Sequence, residues 1–283
     1  MLTSLQINRS RNGLTLLELV IVMTILAALA GIAVAMFPRL MNRAHIATCS
    51  ANLPELAKAI QMYEATSMDG YPDRMDTLVV SGGGGLAPFL PLRNGGIVGV
   101  SVGPLTEDEV DALHEAGIRQ VTVMSDGGPD WHPSFWPYGT PLADGPPLET
   151  ITDATQVAFL DAFAAQQQGI STNGPEDRFV VFGLGSPCRM FGRTLNEAPV
   201  HFADSLEGNP NQRYMRFVAV YQVAGHVANP VWVDGDDPAD QFIASPYRRA
   251  RFRGVLSMHP GRLEGVGAHT EEFWEEVEAD QVQ

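Results

Sequence analysis

Residues 14–37, LTLLELVIVMTILAALAGIAVAMF, carry a single charge, Glu18, and two further polar side chains, Thr15 and Thr24. Wound as a helix at about 1.5 Å per residue, this run is long enough to cross a hydrocarbon core of about 30 Å. It is preceded by residues 1–13, MLTSLQINRSRNG, whose only charges are Arg9 and Arg11. That polarity favours an N-terminus kept on the cytoplasmic side, although Arg39 and Arg43 on the far flank weaken the asymmetry. A cleavable secretory signal has a shorter apolar core of about 7–15 residues followed by small residues. Ala28-Leu29-Ala30 imitates such a cleavage site, but apolar sequence continues well past it. A carboxylate costs about 2.5–3.5 kcal/mol at the centre of a membrane helix and less toward its end, so Glu18 calls for a partner or a proton.

Gly13 followed by Leu-Thr-Leu-Leu-Glu-Leu-Val-Ile-Val resembles the processing motif of type IV pilins and type II secretion pseudopilins. The resemblance implies that a prepilin peptidase cuts between Gly13 and Leu14 and methylates the new amine of Leu14. It makes Glu18 the assembly glutamate, whose carboxylate meets the N-terminal amine of a neighbouring subunit in a filament. Leu14 departs from the usual phenylalanine of the family. Pairing the two charges in a low-dielectric setting relieves the cost that either bears alone.

Beyond the run, Leu53, Leu56, Ala57, Ile60 and Tyr63 follow the spacing of an amphipathic helix. Pro38 and Pro54 each remove a backbone donor, so two readings stand: one bent helix to about residue 66, or two helices broken near Pro38. Tyr63 and the later Gly70-Tyr71-Pro72 turn resemble the region after the helix in major pseudopilins, the general secretion pathway protein G-like subunits. In that turn Gly70 permits unusual backbone angles and Pro72 holds Tyr71 extended. The similarity covers about residues 8–80.

The resemblance implies an α+β, pilin-like fold: a long N-terminal helix, transmembrane in its first half and amphipathic in its second, packed on an antiparallel-sheet head with inserted helices. The expected division is a cytoplasmic leader at 1–13, a transmembrane and assembly helix at 14–66, and a periplasmic head at 67–283. The residues supply the head's elements. Thr106 and Glu109 form a capping box for a helix over 106–117, and a short strand follows around Val121 and Val123. A second helix is predicted near 152–168, with Val157, Leu160 and Phe163 on one face and Asp153 near its start. Strands are predicted at 179–184, 214–223 and 231–233, and a long loop over 126–147.

Charge and composition narrow the function. The 18 basic and 33 acidic side chains leave a net charge of −15, which argues against a nucleic-acid partner, because phosphate neutralisation needs concentrated Lys and Arg. Cys49 and Cys188 allow one disulfide or two separate thiols. Asp234, Asp236, Asp237 and Asp240 form an oxygen-rich loop of the kind that holds calcium, and major pseudopilins carry a calcium site late in the head. The alternative is a solvated acidic turn; no other cofactor is expected. Arg248, Arg249, Arg251 and Arg253 suggest one charged strand face, set against the acidic tail from Glu271 to Asp280 either as an intersubunit contact or as a solvated face. The seven histidines show no helical metal-ligand spacing, Gly183-Leu184-Gly185 lacks the third glycine of a dinucleotide loop, and no nucleophile elbow occurs. The expectation is therefore not an enzyme.

The resemblance implies a structural subunit of a type II secretion pseudopilus, single-pass in the bacterial inner membrane. Its partners would be other copies of itself, prepilin peptidase, other pseudopilins and an inner-membrane assembly platform. Two other readings are a type IV pilus or competence pilin, and a membrane-anchored periplasmic binding module or enzyme.

Overall fold

The computed structural model describes residues 16–68, 70–80, 85–88, 90–124, 148–200, 214, 216–225 and 245–281. It divides into two compact units, Met1–Ala44 and His45–Gln283. Helix α1, Leu16–Thr66, spans 51 residues and remains helical through both prolines, so the reading of two helices broken near Pro38 is not met.

In the first unit, the Leu16–Val34 segment of α1 is 19 residues long and apolar enough to cross a membrane. Its large side chains are exposed, among them Leu17, Ile21, Leu26, Leu29 and Ile32. Thr24 turns its hydroxyl back onto the carbonyls of Val20 and Ile21, at 3.1 and 2.8 Å, which satisfies it without water.

In the second unit, α1 buries Ile46, Cys49, Leu53, Leu56, Ile60 and Tyr63, alternating steps of three and four that draw one apolar stripe along the helix. The stripe packs on a mixed sheet ordered β4-β3-β1-β6-β7-β8-β9, with β5 also on β6 and β2 on β5. The strands are β1 Met75–Val80, β2 Val100–Pro104, β3 Gln120–Met124, β4 Leu148–Thr150, β5 Gln156–Leu160, β6 Arg178–Gly183, β7 Val218–Gly225, β8 Ser245–His259 and β9 Arg262–Glu264. Helices α2 Glu107–Glu115, α3 Ala162–Gln167 and α4 Val266–Gln281 complete the described elements. This is an α+β head of pilin-like kind; among the described strands one pair, β1 on β3, is parallel and the others are antiparallel. A parallel pair needs a long crossover, and the chain supplies one through β2 and α2. Asp73 fixes the start of the β1–β3 pair, accepting from the amides of Arg119 and Gln120 at 3.0 and 2.7 Å.

The sheet is covered on both faces. Val180 and Phe182 of β6 with Ala219, Tyr221 and Val223 of β7 face α1 and α2. Phe179 and Val181 with Val218 and Val220 face the opposite core, which includes Ala164 and Ala165 of α3 and Leu256 and Met258 of β8. All eight residues of β7 are buried, which explains why this stretch alternates polar and apolar residues only in part. The strand is shorter than the expected 214–223, because Tyr214 instead sends its hydroxyl to Asp76 Oδ2 at 2.5 Å. Gly183 leaves the room for that hydroxyl: a Cβ there would collide with it.

The predicted helix over 152–168 is corrected. Its first part is strand β5, which alternates Val157 toward one core and Ala158 and Leu160 toward the other. Asp161, not Asp153, is the helix cap, accepting from the amide of Ala164 at 2.7 Å. The helix begins only at Ala162, and Phe163, expected on a buried face, is 70% exposed. The β-branched and aromatic residues before Asp161 are held between β2 and β6, where pairing on both edges overrides a helical reading.

The helix over 106–117 is met as α2. Thr106 accepts from the Glu109 amide at 3.3 Å, and Glu109 Oε2 accepts from the Thr106 amide at 2.9 Å. Glu109 Oε1 also receives Arg178 Nε at 2.5 Å, so one buried carboxylate caps a helix and ties it to β6.

Candidate functional site

The sequence makes the N-terminal segment the candidate site of processing and assembly. Glu18 lies in the first turn of α1, where a carboxylate is favoured by the helix dipole. It is exposed among exposed apolar neighbours. Gly13 and Leu14 lie outside the described residues, as do Asp234, Asp236, Asp237 and Asp240, the 126–147 loop and the 231–233 strand.

The turn after α1 is built as its residues require. Gly70 has φ +91°, and a Cβ there would strike the carbonyl of Ala116. Tyr71 donates its amide to that carbonyl at 2.8 Å, and its ring lies 5.3 Å from that of Tyr221. Burial pushes the Tyr71 phenol above its usual range, with Glu64 adding to the effect.

The arginine run lies on β8. Ala250 is buried and Phe252 packs on the core that Tyr221 occupies, while Arg248, Arg249 and Arg251 are exposed. Arg249 reaches Glu64 of α1 at 3.1 Å and stacks over Tyr71 at 5.3 Å. Arg253 donates through Nε to Gln222 Oε1 at 2.6 Å. Part of this basic face is thus spent within the chain, holding β8 to the end of α1 and to β7.

Cys49 and Cys188 are both buried, and no disulfide joins them. Burial pushes the Cys188 thiol up to about 12, so it is not poised as a nucleophile.

One cluster escaped the sequence reading. His259 ends β8, Glu264 ends β9 and His269 lies in α4, all three buried. Their ligand atoms lie within 4.8 Å of one another. The spacing, His-x4-Glu-x4-His across a Pro260-Gly261 turn, fits neither a helical nor a single-strand ligand pattern. The signal available was the turn itself, which folds residues 259 and 264 onto one hairpin.

The profile of the prokaryotic N-terminal methylation motif matches residues 8–34. The N-terminal segment thus bears a prepilin-type signal, that of a type IV pilin-like substrate of prepilin peptidase, and it coincides with the exposed apolar stretch of α1. Compared whole with characterised proteins and with solved structures, the chain finds no match.

Proposed function

We propose that this chain is a structural subunit of a type II secretion pseudopilus. The observation that carries the reading is the coincidence of the methylation motif at 8–34 with an exposed apolar helix at Leu16–Val34. Residues 1–13 are the leader, 14–66 the anchoring and assembly helix, and 67–283 the head. Prepilin peptidase cuts between Gly13 and Leu14 and methylates Leu14. Before assembly the subunit is held in the inner membrane by α1, N-terminus cytoplasmic and head periplasmic. In the filament, Glu18 pairs with the methylated amine of an adjacent copy, which neutralises both charges and sets the axial register. Subunit addition at an inner-membrane platform, alongside other pseudopilins, pushes cargo outward.

Mass spectrometry of the N-terminus tests the processing step: a methylated Leu14 is expected, and an intact Met1 would overturn it. Glu18→Leu is expected to leave membrane insertion unchanged and to abolish filament formation. Normal incorporation of that variant into filaments would refute the assembly role of Glu18.

A further inference from the structure

We propose that His259, Glu264 and His269 form a structural site for a divalent transition metal of the zinc type, clamping α4 onto the β8–β9 hairpin. This inference does not rest on the pseudopilus reading.

The hairpin sets two of the ligands by register. Ser257 pairs with Glu264 and His259 with Arg262, so these four residues share one face. Pro260 and Gly261, the latter at φ +76°, make the tight turn between them. The tip is pinned, because Gly261 donates to the carbonyl of Pro91 at 2.7 Å and accepts from Val98 at 2.8 Å. The start of α4 is pinned as well: Gly265 donates to Gln168 Oε1 at 2.9 Å, and a Cβ there would strike the Gln168 carbonyl. Four residues on, about one helical turn, His269 comes over the hairpin face. Its ring centroid lies 5.0 Å from that of His259.

The donor atoms converge. His259 Nε2 is 3.1 Å and His269 Nδ1 is 3.8 Å from the same carboxylate oxygen, Glu264 Oε2. In a tetrahedral zinc site with bonds of about 2.0–2.1 Å, ligand atoms stand about 3.3 Å apart. Both imidazole–carboxylate pairs lie near that spacing and all three ligand atoms lie within 4.8 Å of one another, so the side chains draw together to share one ion. Two imidazoles and one carboxylate suit zinc and its neighbours rather than calcium, which takes oxygen ligands.

The surroundings orient the ligands as metal sites require. Ser257 Oγ donates to the carbonyl of Glu264 at 3.1 Å, so its hydroxyl proton is committed. It lies 2.7 Å from His269 Nε2 and therefore accepts from that nitrogen. This fixes the His269 tautomer with its proton on Nε2 and its lone pair on Nδ1, toward Glu264. Arg262 holds the other carboxylate oxygen, Oε1, which leaves Oε2 for the histidine pair. The Ser257 contact fixes the ring orientation of His269, as outer contacts do for histidine ligands in metal centres. His259 and His269 are each 1% exposed at the side chain and Glu264 6%, which fits a site that fastens elements rather than one that admits substrate. Three protein ligands leave one position for water.

The test uses the full chain, purified without a polyhistidine tag in detergent and stripped with a chelator. Titration with Zn2+ against a chromophoric chelator is expected to show uptake of one ion per chain and a rise in Tm, with Ca2+ producing neither. His269→Gln and Glu264→Gln are each expected to weaken uptake by about 100-fold or more, and Ser257→Ala by about tenfold. Wild-type chain that takes up no Zn2+, or uptake that survives both ligand substitutions, would overturn the proposal. If the ligand variants fail to fold, as judged by far-UV circular dichroism, Co2+ added to the wild-type chain decides. Intense d–d bands of a four-coordinate site support the clamp, and their absence rejects it.

Discussion

Among single residues, Cys188 has the most direct consequence for stability. It is 2% exposed and sits in the core beneath α1, and burial holds its thiol up to about 12. In the unfolded chain an ordinary thiol ionises near pH 8.5. The folded pKa is the higher one, so the contribution is whole below the unfolded value and is lost as pH rises toward the folded one. Over roughly pH 9–11 this single group should erode stability by about 1 kcal/mol per pH unit. Tyr214 and Tyr221, whose phenols burial also raises, add to the loss above about pH 10. Denaturant unfolding across that range is expected to show a shallower decline for Cys188→Ala than for the wild-type chain. Equal slopes would show that the thiol ionises alike in both states. Native Cys188 should also resist thiol reagents until the head unfolds.

Between elements, the junction of α2 with β6 concentrates several interactions on Glu109. Its carboxylate closes the capping box with Thr106 and receives Arg178, whose guanidinium also lies 4.4 Å over the Phe159 ring. Thr106→Ala is expected to lower unfolding stability by about 1 kcal/mol, the usual worth of an N-cap. Glu109→Ala should cost more, about 2 kcal/mol, because it removes the reciprocal cap and a charge-assisted bond together. Arg178 is 45% exposed, and solvent screening keeps its share small. Comparative urea unfolding of the two variants checks the order. The capping box was legible in advance, because it is written in four consecutive residues, whereas the tie from Glu109 to Arg178 was not. The Gly70 turn and the stripe from Leu53 to Tyr63 were legible for the same reason: local sequence decides them. Strand β5 was not, since the residues that make Gln156–Leu160 extended belong to β2 and β6. The histidine–glutamate cluster was hidden for a related reason. A strand, a second strand and a helix each contribute one ligand, so no single period contains them.

For the whole molecule, charge and topology work together. The chain already carries a net −15, and removal of the leader would take away Arg9 and Arg11, leaving it two charges more negative. Copies brought side by side would repel one another through acidic heads, an effect that salt screens over about 8–10 Å. The proposed orientation predicts that protease added to spheroplasts digests the head, while the same protease leaves it untouched in intact cells. A head resistant in spheroplasts and digested only after lysis would reverse the assigned topology.

The order of the strands sets an order in time. The stripe from Ile46 to Tyr63 is made early, yet much of what covers it, Val180, Phe182 and Tyr221 among them, lies more than a hundred residues later. β7 in turn needs β8, which ends at His259, before both its edges are paired. A nascent chain therefore carries a naked apolar helix face and unpaired strand edges until nearly all of it has been synthesised. Such long-range closure is slow and exposes surfaces that associate wrongly. Something must shelter those surfaces in the interval, as a chaperone does.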